Sequence, residues 1–102
     1  MSPTIYKIID SFCPVDKKLE IVTLIDLECS CEKLGINADW TDLMDRIHAS
    51  LIKDTEWKVE LINKNIYLAK TDWRDLLMFS GFAHDLTAHK KWLKLVIQKG
   101  II

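Results

Sequence analysis

The sequence predicts an α+β chain, mostly helical, with about five helices and one β-hairpin between the third and fourth. Three observations predict it. Apolar residues recur at helical spacing in several separate stretches. Residues 57–69 alternate with period two instead, as a half-buried strand does. Glycine and proline number only 3 and 2 in 102 residues, which leaves little room for long irregular loops.

The elements follow in order. Ser2-Pro3 suits a helix start, serine as cap and proline in the first turn. Ile5, Ile8, Ile9 and Phe12 then make a helical stripe, which Pro14 ends. Residues 17–34 are ambiguous. As a helix the stretch is apolar almost all round, implying a central buried position. Ile25, Leu27, Cys29 and Cys31 also alternate with polar residues. The reading adopted is a helix near residues 17–24, then an extended or loosely helical connector to Leu34. From Asp39, Trp40, Leu43, Met44, Ile47 and Leu51 share one helical arc, with Asp42, Asp45, Ala49 and Lys53 facing away. Trp57, Val59 and Leu61 alternate with Lys58 and Glu60, and Asn63-Lys64-Asn65 separates them from residues 66–69, the pattern of a hairpin. Thr71 or Asp72 caps a helix bearing Trp73, Leu76 and Leu77, stopped by Ser80-Gly81. Asp85 opens the last helix, in which Leu86, Trp92, Leu93, Val96 and Ile97 line one face and Gly100 closes it. His89 falls inside that apolar arc, where a lone histidine reads as a semi-buried structural residue.

The string Asp-Trp-x-Asp-Leu occurs twice, at residues 39–43 and 72–76. Aspartate at N-cap accepts from an orphan backbone N–H, and aspartate at N3 faces the positive end of the helix dipole. Tryptophan and leucine three apart anchor the first turn in the core. The similarity stops after that turn, so the string reads as two helix starts rather than a repeated unit.

Composition fits one globular domain spanning residues 1–102, with 49% hydrophobic and 28% charged residues. No stretch approaches the roughly 18 apolar residues of a membrane span. The start of the chain lacks a basic segment before a long apolar run, so a cytoplasmic protein is expected. Three cysteines without framework spacing agree with a reducing compartment. Cys29-x-Cys31 and His84-x4-His89 do not have the spacing of a zinc finger, and no metal or other cofactor is predicted. Net charge is −1, but unevenly placed: residues 26–45 hold six acids against Lys33, and residues 86–102 hold four lysines and no acid.

The stretch YKIIDSFCPVDKKLEI followed by IDLECSCEKLGINADWTDLMDRIHASL, about residues 5–53, resembles a divergent acyl carrier protein. Leu34-Gly35-Ile36-Asn37-Ala38 takes the place of the family's Leu-Gly-x-Asp-Ser. The resemblance implies a carrier-like fold. Because Ala38 replaces the serine that receives phosphopantetheine, it also implies no prosthetic group.

No phosphate-binding glycine loop, nucleophile elbow or close carboxylate–histidine set is present, so no enzyme is predicted. A winged helix-turn-helix, with residues 39–53 as recognition helix and 56–69 as wing, is the alternative. Asp42 and Asp45 on that helix would repel phosphates, which disfavours nucleic acid. The preferred reading is a small protein-interaction module, in form an immunity-type inhibitor. It would bind a basic partner through the acidic helix, with Asp39, Asp42 and Asp45 as the protein-binding residues. Nothing in the sequence bears on oligomeric state.

Overall fold

The computed structural model describes residues 1–37 and 41–100. Among them lie six helices and no strand: α1 (Pro3–Phe12), α2 (Val15–Glu28), α3 (Cys31–Leu34), α4 (Thr41–Ile52), α5 (Val59–Ser80) and α6 (Ala88–Lys99). The fold is all-helical, and the expected β-hairpin does not exist. Its residues form the first half of α5, where Ile62, Ile66 and Ala69 are buried at i, i+4 and i+7. The alternation from Trp57 to Leu61 that suggested a strand straddles a helix boundary. Trp57 sits in a left-handed conformation (φ 62°), Lys58 is the extended cap, and Val59 begins the helix. Asn65, expected in the hairpin turn, instead donates its side-chain amide to the Leu51 carbonyl at 2.9 Å. It satisfies an orphan acceptor at the end of α4. A winged helix-turn-helix loses its wing by the same finding.

The ambiguous stretch is also helix. α2 continues to Glu28, with Ile21, Ile25 and Cys29 fully enclosed at i, i+4 and i+8. Leu27, a member of the apparent alternation, is exposed. α1 begins as its sequence predicts: the Ser2 hydroxyl accepts from the Ile5 N–H and Pro3 occupies the first turn.

α4 occupies the centre. It packs chiefly on α5 and also against α1 and α6. From Arg46 to Ile52 every residue is buried, including Arg46, His48 and Ser50. Ala49, expected on a solvated face, is completely enclosed. The polar members of this helix find partners elsewhere. The Ser50 and Ser80 hydroxyls lie 2.7 Å apart and join α4 to the end of α5.

α5 is two helical segments joined at Asp72, whose backbone is extended (φ −162°, ψ 104°). The Asp72 carboxylate accepts from the Arg74 N–H at 3.0 Å, so it caps the second segment as its motif predicts. That segment ends at Gly81, left-handed at φ 84°, whose N–H reaches back to the last carbonyls. Phe82 follows directly and is buried.

Candidate functional site

The acidic face does not form one open surface. Asp39 lies outside the described residues. Asp42 is exposed, but Lys90 Nζ and His89 Nε2 of α6 each lie 3.6 Å from its Oδ1. Asp45 is half-buried and accepts the Ser2 hydroxyl in a short hydrogen bond. Asp42 and Asp45 thus serve different neighbours, one facing α6 and the other holding the start of α1.

Ser2, Asp45 and His48 together border a hollow of about 350 Å³. Their composition suggests a nucleophile–base–acid set, but their bonding does not. His48 Nδ1 accepts the Ser2 backbone N–H at 3.2 Å, and its Nε2–H donates to the Cys29 carbonyl at 2.8 Å. Both ring nitrogens are occupied by backbone, so the imidazole has no lone pair for the Ser2 hydroxyl proton. Burial pushes the His48 pKa down, against the raising effect of the Cys29 bond, and favours the neutral ring. The cluster pins α1 and the end of α2 onto α4.

The cysteines are similarly quiet. Burial pushes the Cys29 thiol up to about 11 and raises Cys13 as well, which disfavours the reactive thiolate. Among the described residues no group of three His, Cys, Asp or Glu side chains is placed to hold a metal ion. His84 is exposed and His89 buried, so the H-x4-H pair does not converge.

A further surface lies where α4 meets the second segment of α5. Leu43 and Arg46 from α4, Trp73, Arg74, Leu77 and Met78 from α5, and Ala83 and His84 beyond it border a groove of about 520 Å³. Met78 borders it and Phe79 follows in sequence, 61% and 82% exposed. Phe79 borders a second, more polar hollow of about 250 Å³, beside Lys53 and Lys64, and shares a third of about 280 Å³ with Met78 and Asp75. The two side chains form an exposed apolar ridge, with Met78 on the groove and Phe79 on the second hollow. Such a shape offers a partner both an anchor and sockets.

Arg46 is the least expected member of the groove. It is only 9% exposed, and its Nη2 donates to the Phe82 carbonyl at 2.7 Å and the Ala83 carbonyl at 3.4 Å. Among the described residues its Nε–H has no hydrogen-bond partner. Arg74 lies over the Trp73 ring at 5.4 Å, and its Nε is 3.7 Å from Asp72. Sequence reasoning placed Trp73 and Leu77 in the core and missed Arg46. The only signal for Arg46 is polarity at 46, 48 and 50 within a helix otherwise rich in apolar residues. The adjacent Met78-Phe79 just before Ser80-Gly81 was a clearer sign, since both residues precede a helix stop without belonging to the apolar arc of Leu76 and Leu77.

No family model matches the chain, and neither a curated protein nor a solved structure is significantly similar to it. Among the described residues no helix is long and apolar enough to cross a membrane.

Proposed function

We propose that this chain is a small protein-interaction module whose docking surface is the second segment of α5. The observation that carries the reading is the pair Met78 and Phe79, 61% and 82% exposed on adjacent positions, each bordering one of two hollows. Leaving a phenylalanine in water forgoes burial worth roughly 2 kcal/mol. Contiguous exposed apolar surface beside sockets is what a protein partner covers. Affinity capture from the source cell tests it. A partner held at stoichiometric level by the native chain should be lost when Met78 and Phe79 are both replaced by serine, with the thermal midpoint unchanged. Equal recovery by both proteins would refute the surface.

A second form of the reading keeps the acidic helix as the contact, in the manner of an immunity-type inhibitor of a basic protein. It is favoured by the exposed Asp42 carboxylate near the start of α4. It is weakened by Lys90, which already lies beside that carboxylate, and by the internal bond of Asp45. The ridge is therefore the better-supported contact.

A further inference from the structure

We infer that the groove between α4 and the second segment of α5 receives a segment of a partner protein that carries a carboxylate next to an apolar side chain. The inference rests on the interaction reading above and specifies the chemistry of the partner.

It starts from Arg46. A guanidinium holds a full positive charge and five N–H donors. Here it is nine-tenths buried, yet no carboxylate among the described residues lies within ion-pair distance of it. Two backbone carbonyls accept from Nη2, and Nε–H has no partner among the described residues. Holding the residue 82–83 loop accounts for Nη2 alone. A buried cation compensated only by carbonyl dipoles is stabilised by an anion brought beside it.

The surroundings favour such an anion. Arg46, Arg74 and His84 are the charged or titratable side chains that border the groove, and no acidic side chain borders it. Asp42, one turn before Arg46, is drawn to Lys90 instead. Asp72 lies beside Arg74 at the far edge and offsets that charge in part, leaving Arg46 as the uncompensated site. The remaining border is apolar, with Leu43, Trp73, Leu77, Met78 and Ala83. A nucleic-acid backbone would need a row of exposed cations, whereas this groove offers one buried guanidinium among apolar walls. A planar carboxylate matches the guanidinium fork, and an adjacent leucine or phenylalanine matches the walls. At about 520 Å³ the groove has space for such a pair of side chains.

The test is a ¹⁵N NMR titration of the intact chain with two capped peptides, acetyl-Glu-Glu-Leu-Phe-Asp-amide and its twin acetyl-Gln-Gln-Leu-Phe-Asn-amide. The acidic peptide should shift the Trp73 indole N–H, the Arg46 Nε–H and the Leu43 and Ala83 amides. The amide twin should bind about tenfold more weakly, the difference expected for losing one charge-assisted contact. Arg46→Gln should remove the discrimination between the two. Arg74→Glu is exposed, leaves the fold intact if Arg46→Gln does not fold, and should weaken the acidic peptide about tenfold through like-charge repulsion. No shift at millimolar peptide, equal binding of the twins, or shifts confined to other surfaces would overturn the inference. So would 4-phenylbutyrate binding as tightly as the peptide, since the groove would then take a small free acid. Any of these failures, together with loss of a captured partner in the Met78/Phe79 double variant, would remove the acidic-segment chemistry and leave the interaction reading standing.

Discussion

His48 and His89 are both enclosed, but for opposite reasons. His48 is held by two backbone bonds, whereas neither ring nitrogen of His89 has a hydrogen-bond partner among the described residues and Asp42 lies 3.6 Å away. Burial pushes both below the ordinary 6.5, and for His89 the attraction of Asp42 does not offset it. The sign follows. Folded-state pKa values are depressed, so the unfolded chain binds protons first and stability declines as pH falls through about 6.5. Urea unfolding between pH 7.5 and 5.0 should show this as a loss of up to about 1.4 kcal/mol per pH unit for each histidine. His89→Leu should flatten part of the slope, and an unchanged slope would assign it elsewhere. Residue-scale features divide by range. The Ser2 and Asp72 caps were legible because each acts within three positions of itself. The partners of His48 lie 19 and 46 residues away, and those of Arg46 lie 36 and 37 away, so no local pattern announces them.

At the scale of elements, the hairpin and α5 make different demands on Lys64. A turn residue between strands tolerates proline, but an exposed position inside a helix loses a backbone bond and meets the preceding turn. Lys64→Pro should therefore cost about 3 kcal/mol or more and reduce the helical circular-dichroism signal. A loss under about 1 kcal/mol would contradict the helix. Sequence reading failed here because alternation from Trp57 to Leu61 alone is too short to separate a strand from a cap followed by a helix. It failed in α2 because an apolar residue, Leu27, points outward and completes a false alternation. It succeeded in α1 and at the start of the second α5 segment. In α6 it succeeded in part: Leu93 and Val96 are buried as their spacing predicts, but Leu86 and Ile97 of the same expected arc are exposed and the helix begins at Ala88 rather than Asp85.

For the whole molecule, the decisive fact is which helix lies at the centre. The apolar ring of α2 pointed to that helix, but α4 holds the position despite Arg46, His48 and Ser50. Each of those residues makes at least one bond to a distant segment, which is why the arrangement could not be read from composition. The chain is close-packed, with a Cα radius of gyration of 12.2 Å against about 13 Å expected for its length. A vacancy in α4 should therefore be felt throughout. Leu51→Ala should cost about 2–5 kcal/mol and shift fluorescence and circular-dichroism transitions together. Separate transitions would show that the helices do not unfold as one unit.

The interruption at Asp72 has a consequence for how the surface can change. In an uninterrupted helix, inserting one residue turns everything beyond it by about 100°. Here the rotational phase is reset at an extended residue, and the second segment takes its bearing from Leu76 and Leu77 in the core. Residues gained or lost just before Asp72 need not swing Met78 and Phe79 away from the outside. The joint uncouples the lineage of the scaffold from that of the ridge, so each can drift in length without dragging the other.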